Sequence, residues 1–546
     1  MRNSMAGGPG YSVDANVTKA RSHTIGDLLR RTALRYPDKT ALVAGDFRET
    51  YAQLNATVNA TAHALSDRGV VKGDRIALLS HNCREFVVVY LALAKIGAIL
   101  VPINFMLTAE EVAFILDHCE VTGLVTEDAL APIAERALGV AGRGVDIAGW
   151  ISSGAAEQGV AERGTDSRWE DVASWLAHDD TSEPEVSIGD DDPVRLMYTS
   201  GTESRPKGVV LTSRSLITQY VSCIIEGEMS SDDIEVHALP FYHCAQLDGC
   251  LTPDIYLGAT GVILPGADPA AILAAVERER ATRLFCPPTV WIGLLRCPTF
   301  EAHDLSSLRK GIYGAAPMPV EVLREIRQRL PELRLWNLYG QTEMAPVATV
   351  LRPELQVAKA GSAGRPALNV ETIVVDDDDK PVPPGTVGEI VHRSPHAMLG
   401  YYKEPEKTAE AFRNGWFHSG DLGVFDSDGY LTVVDRKKDM IKTGGENVAS
   451  REVEEAIYGH PGVAEVAVFG IVHPYWIEAV TAVVVARPGA MISPEEIIDY
   501  ARGCLASYKT PKYVVVTDQL PKSPSGKILK RELRTIHAHL VGAVVP

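Results

Sequence analysis

Between Asp74 and Asn104 the chain reads DRIALLS, then REFVVVYLALAKIG, then ILVPIN. Two short runs rich in Ile, Leu and Val flank a fourteen-residue segment of helical length. Short apolar runs are buried strands, and the longer one between them is a helix. A strand, a helix and a second strand in so short a span imply a crossover, and a crossover makes its strands parallel. The pattern returns further on. HALPFYH, GVILPG, TRLFCPP and KGIYGAAPMP each read as a strand running out into a loop. The predicted class is therefore α/β, with mostly parallel sheets covered by helices. At 546 residues the chain exceeds what one hydrophobic core organises. We expect a large N-terminal domain of two βα-layered parallel-sheet subdomains plus a small β-rich subdomain, followed by a small α+β C-terminal domain.

The boundaries follow from shifts in style. Residues 1–22 read as a loose arm. The region from about Glu135 to Asp192 is rich in Gly, Ala, Ser and acids, which predicts a surface excursion with one short helix, WEDVASWLAH. A second α/β stretch is expected from Pro193 to about Val350. ETIVVDDDDKPVPPGTVGEIVHRS and LGVFDSDGYLTVVDRKKDMIKTGG are hairpin-like, with Asp428-Gly429 as a turn signal. The expected division is residues 1–435, with the β-rich part at about 370–435, and residues 436–546.

Charge narrows the function classes. The chain has 53 Lys and Arg against 71 Asp and Glu, a formal charge of −18. Such a field repels phosphate backbones, so no nucleic-acid partner is expected. From Arg436 onward there are 14 basic and 12 acidic residues, so this unit is slightly positive against an acidic body. Eight scattered cysteines without a CxxC pair read as reduced thiols of a cytoplasmic protein. Neither a signal-peptide pattern nor an apolar run of about 18 residues is seen, so no integral membrane association is expected.

One loop carries chemistry. YTSGTESRPKG, from Tyr198 to Gly208, follows the apolar VRLM. A Walker A loop needs a second glycine before its lysine and a hydroxyl after it. Here Pro206 precedes Lys207 and Gly208 follows, so this is not that loop. Its glycine and the hydroxyls of Thr199, Ser200 and Thr202 still suit an anion, because backbone amides can approach it closely.

The stretch resembles the phosphate loop of the adenylate-forming superfamily, usually YTSGTTGxPKG, with Glu203-Ser204 in place of Thr-Gly. Four further motifs occur in the family's order: YGQTE at Tyr339–Glu343, GWFHSGDLG at Gly415–Gly423, DRKKDMIKTGGEN at Asp435–Asn447 and PKSPSGKILKREL at Pro521–Leu533. Five motifs in sequence over more than 300 residues are specific, and the chain resembles the acyl-CoA synthetase branch, closest to bacterial fatty-acyl-CoA synthetases.

The resemblance implies ATP-dependent activation of a carboxylic acid to an acyl-adenylate, then transfer to coenzyme A with release of AMP and pyrophosphate. Its cofactors would be ATP, Mg²⁺ and coenzyme A. By that resemblance Lys527, Glu343, Thr199 and His243 act at the reacting groups. Ser200, Gly201, Thr202 and Lys207 hold phosphates, and Glu343 with Thr202 ligates Mg²⁺. Tyr339 stacks on the adenine with Gly314, Ala315 and Ala316 along its other side, Asn337, Gly340, Gln341 and Thr342 belong to the same nucleotide site, and Asp421 and Arg436 take the ribose or phosphate. Lys438 is a hinge before a mobile C-terminal domain. Gly444 and Gly445 line a pantetheine channel, followed here by Ala449-Ser450 where relatives more often have Tyr-Pro.

The acyl pocket is expected near Tyr242, His243, Leu247, Gly314 and Met344. No Arg or Lys in these segments stands ready for a second carboxylate, so a fatty or aromatic monocarboxylic acid with an apolar body is favoured. The same motifs would serve a carrier-protein phosphopantetheine or an amine as acceptor. A nucleotide-binding protein without catalysis would have no need of Glu343, Asp421 and Lys527 together. A homodimer is left open.

Overall fold

The computed structural model describes residues 15–142, 144–153, 169–199, 206–314, 316, 318–437, 439–443, 446–523 and 526–542. Among them the α/β architecture expected from the sequence is present, built on two large sheets, a small β-sheet unit and a C-terminal α+β unit.

The strands Arg75–Leu79 and Ile99–Pro102 lie parallel, connected through the helix Arg84–Ile96. Local chemistry sets that helix's ends. The Cys83 thiol accepts from the Phe86 amide at 3.4 Å, and Gly97 closes the helix at φ 74°. Every residue from Phe86 to Ile96 is buried, including Lys95, whose ammonium reaches Glu183 at 2.6 Å. Each large apolar side chain taken from water there contributes about 1.5–3 kcal/mol. The helix runs through the largest hydrophobic core, which also takes in residues from both large sheets.

The two sheets do not divide the chain where the sequence suggested. The eight-stranded sheet holds Arg75–Leu79, Ile99–Pro102, Gly123–Glu127, Ile147–Ile151 and Trp169–Asp171, and also Pro193–Thr199, Lys207–Thr212 and Gly400–Tyr401. Pro193 is therefore not the start of a second unit. The nine-stranded sheet begins with the early hairpin Thr40–Ala44 and Phe47–Thr50, because Leu42–Ala44 pairs in parallel with Gly261–Ile263. It continues through Ile234–His237, Arg283–Phe285, Lys310–Gly314 and Arg334–Gly340 to antiparallel strands at Val347–Leu351 and Arg365–Pro366. Segment order misled because parallel pairing is nonlocal.

A second correction concerns Glu135–Asp192. Ile147–Ile151 is a fully buried strand paired with Gly123–Glu127, so this region is part of a sheet and no mere surface excursion. The expected helix WEDVASWLAH is split. Trp169–Asp171 is an edge strand, and only Val172–Leu176 is helical, capped by Asp171 accepting from the Ala173 amide at 2.9 Å.

The β-rich unit is a four-stranded sheet ordered Glu371–Val375, Gly388–Arg393, Phe417–Phe425, Leu431–Arg436. The turn at Asp428-Gly429 forms as expected, with Gly429 at φ 78°. Beyond it the paired strands Val463–His473 and Ile477–Ala486 carry the helices Ser450–Tyr458, Pro494–Cys504 and Lys530–His537. Among the described residues no helix is long and apolar enough to cross a membrane.

Candidate active site

Strand ends deliver the site. Thr199 ends the strand Pro193–Thr199 and pairs with Lys207 of the antiparallel strand Lys207–Thr212. Ser200, Gly201, Thr202 and the Glu203-Ser204 departure between them lie outside the described residues, as do Ala315, Lys438, Gly444 and Gly445. Gly314 ends Lys310–Gly314, with Ala316 exposed just beyond. Tyr339 and Gly340 end Arg334–Gly340, and the turn Thr342–Met344 presents Glu343. Gly340 is required by close approach, since a Cβ there would stand 1.9 Å from the Pro346 carbonyl oxygen.

Two hydrogen bonds organise the polar half. The Tyr339 hydroxyl donates to Asp421 Oδ2 at 2.8 Å, while Arg436 Nε stands 3.6 Å from Asp421 Oδ1. The Tyr401 hydroxyl donates to Glu343 Oε1 at 2.9 Å, and Lys207 Nζ lies 5.0 Å from the Tyr401 ring centre. Burial raises both carboxyls above the ordinary carboxylate range. Arg436 and the Tyr339 hydroxyl oppose that rise at Asp421, and the Tyr401 hydroxyl, Arg436 and Lys207 oppose it at Glu343. Tyr401 was missed in the sequence. It lies in LGYYKEPEKT, which has no unusual composition, and only the strand Gly400–Tyr401 pairing with Val209–Val210 brings it here.

The other predicted nucleotide-side residues divide in two. The Asn337 amide is committed to the Ser362 carbonyl at 2.8 Å. The Thr342 hydroxyl lies 3.3 Å from the Cys244 thiol. Gln341 differs, because its buried Nε2 has no protein acceptor among the described residues. That orphaned donor beside a half-buried acid fits a polar ligand bringing acceptors.

Of the residues expected at the acyl pocket, His243 precedes the short helix Cys244–Gln246 and caps it, its Nδ1 accepting from the Ala245 amide at 3.1 Å. That bond leaves the ring proton to Nε2. Burial pushes the imidazole down to about 4, and the charge of Lys527 adds to the effect, so His243 is neutral near pH 7. Tyr242 packs edge-on against Phe105 with ring centres 5.3 Å apart. Leu247 and Met344 are fully buried. Asp248, next along the chain from Leu247, pairs with the buried Arg195 at 2.6 Å and accepts from the Tyr220 hydroxyl at 2.7 Å.

Lys527 lies in a turn of the C-terminal unit, closed by the Lys522–Ile528 bridge, with its amide donating to Ser523 Oγ at 3.1 Å. Its charge acts on both His243 and Asp421. Residues some 100 and 280 positions apart thus share one electrostatic neighbourhood.

A family model described as AMP-binding enzyme matches residues 29–402, and one described as AMP-binding enzyme C-terminal domain matches 452–527. A feruloyl-CoA synthase of an Amycolatopsis species is 38% identical over 94% of this chain and 99% of its own. A long-chain-fatty-acid–CoA ligase of Mycobacterium tuberculosis is 36% identical over 93% of this chain and 98% of its own. Among solved structures, the anthranilate CoA ligase AuaEII in complex with anthranoyl-AMP superposes with a TM-score of 0.87, at 27% identity, over 96% of this chain and 100% of its own.

Proposed function

This chain belongs to the AMP-binding enzymes, in the acyl-CoA synthetase branch of the adenylate-forming superfamily, and from that footing we propose that its acid is a monocarboxylic one with an apolar body. It is an AMP-forming acid–thiol ligase. A carboxylate is a poor electrophile because oxide would have to leave. The acid's oxygen therefore attacks the α-phosphorus of ATP, the bond to pyrophosphate breaks, and a mixed anhydride results. The thiolate of coenzyme A then attacks the acyl carbon and AMP leaves with the electron pair.

The seating of the Lys527 turn on the large domain through Gly526 and Thr289, with the charge of Lys527 acting on both His243 and Asp421, supports the reading. Between those two groups an ammonium can stabilise the acid's carboxylate and the charge growing at the α-phosphate. Asp421, held by Tyr339, offers acceptors for a ribose diol. Glu343 is a half-buried oxygen donor whose carboxylate accepts from the neutral Tyr401 hydroxyl, an environment that suits a hard cation. With Thr202 it would hold Mg²⁺, which supplies charge neutralisation across the phosphates. Thr199, Ser200, Gly201 and Lys207 would cradle those phosphates, and Gly314, Ala315 and Ala316 would border the adenine.

The acid's body is inferred from the pocket wall. His243 is neutral, Leu247 and Met344 are apolar, and the buried cation behind them, Arg195, is committed to Asp248. Among the described residues of this wall a second carboxylate would find no uncommitted counter-charge. The division into 1–435 and 436–546 is part of the same proposal. Once pyrophosphate has left, the C-terminal unit turns about Lys438, and Gly444 and Gly445 line the thiol's path. Eight free cysteines agree with a reducing, cytoplasmic setting.

A pyrophosphate-release screen over acids of varied chain length and ring content tests the reading, run with coenzyme A, a phosphopantetheinylated carrier protein or an amine as acceptor. Release with fatty or aryl monocarboxylates and turnover with coenzyme A is expected. Release only with dicarboxylates would overturn the pocket argument, and turnover only with another acceptor would move the second step to it.

A further inference from the structure

The turn that carries Lys527 rests on the first turn of the helix Pro288–Arg296. Thr289 Oγ1 donates a hydrogen bond to the carbonyl of Gly526, the residue before the lysine, at 2.9 Å. The fit is close. Gly526 stands at φ 78°, and a Cβ there would lie 2.5 Å from Thr289 Oγ1 and 2.9 Å from Pro287 Cγ. A side chain at 526 would force the turn or the Thr289 and Pro287 side chains to shift and would strain the backbone there.

The turn is itself braced. Gly526 N donates to the Ser523 carbonyl at 2.8 Å, and Ser523 N donates to the Lys527 carbonyl at 2.8 Å. Fixing Gly526 therefore fixes the backbone of Lys527. Around this contact the seam is thin. A cleft of about 350 Å³ opens between Thr289, Val290 and Gly293 on one side and Lys522, Ser523 and Gly526 on the other. Elsewhere the two bodies meet through Arg451, which bonds the Val433 and Gly361 carbonyls, and through Tyr458, but at this cleft the directional hydrogen bond from Thr289 is what seats the turn.

We propose that Thr289 is a positioning residue for the adenylation step, docking the Lys527 turn onto the large domain through the Gly526 carbonyl. It touches no reacting atom. Its contact exists only while the C-terminal unit faces the large domain in this orientation, so it holds one half-reaction's geometry and is released for the other. The inference rests on the two-step reading above.

The test uses the full-length enzyme and Thr289→Val, which keeps the shape and removes the donor. One net hydrogen bond corresponds to about a two- to tenfold effect. Acid- and ATP-dependent pyrophosphate release should lose that factor in kcat, with KM for ATP unchanged. Thioester formation from supplied acyl-adenylate should hold its rate or rise, and Thr289→Ser should restore adenylation. An unchanged adenylation rate, an equal fall in both half-reactions, or no rescue by serine would each overturn the proposal. Absence of pyrophosphate release in the wild-type enzyme would instead strike the functional reading itself, so the two failures are separable.

Discussion

Tyr339 and Asp421 are joined by a hydrogen bond of 2.8 Å that links two sheets. Tyr339 ends a strand of the nine-stranded sheet, and Asp421 lies within a strand of the small β-rich sheet. The bond holds a ring suited to stack on a base against a carboxylate suited to bind a diol, the fixed spacing that the proposed nucleoside site requires.

Asp421→Ala should therefore weaken ATP far more than it slows chemistry. Hydrogen bonds to a charged group are worth about 1.5–3 kcal/mol, so KM for ATP should rise roughly ten- to a hundredfold. Steady-state kinetics with saturating acid measures it, and an unchanged KM would remove the diol role.

Tyr401→Phe should change the pH profile. The hydroxyl donates to Glu343 and favours its ionised form, opposing the rise caused by burial. Without it the carboxyl titrates higher still, so the fraction ionised at a given acidic pH falls. The acid limb of adenylation should move to higher pH, while activity on the alkaline side stays near wild type. A limb that stays in place would mean that Glu343 is not the group being read. His243, pushed down to about 4, should add no limb between pH 5.5 and 7.5.

Much of this was legible in the sequence, and the reasons for the rest are physical. Glu343, Asp421 and Lys527 sit in local motifs whose spacing survives in one dimension. Tyr401 and Thr289 do not. Each meets its partner through a nonlocal contact, 58 residues away for Tyr401 and 237 for Thr289. The fold divides likewise. The helix Arg84–Ile96 and its flanking strands could be read from periodicity, because burial on all sides leaves a continuous apolar run. That Thr40–Ala44 pairs with residues 261–263 could not, since parallel pairing leaves no local mark.

Arg283 tests the frame beneath the site. Fully buried, it bonds Glu235 through Nε at 2.6 Å, stands 3.2 Å from Asp233 and also pairs with Asp254. Arg283→Ala would leave Glu235 and Asp254 buried without that cation, while Asp233 keeps Lys310 at 2.9 Å. Removing one partner of a buried pair costs about 3–5 kcal/mol. The urea unfolding midpoint should fall accordingly, and a shift worth under 1 kcal/mol would show that the acids are neutralised otherwise.

Lys527 decides the account most directly. Its charge reaches His243 and Asp421 from another structural unit, so its removal should damage one half-reaction alone. The measurement is the rate of pyrophosphate release from acid and ATP, beside the rate of thioester formation from supplied acyl-adenylate, for Lys527→Ala and wild type. The account predicts a loss of roughly 10²–10³-fold in the first and a nearly normal second. Equal loss in both, or none in the first, would contradict it.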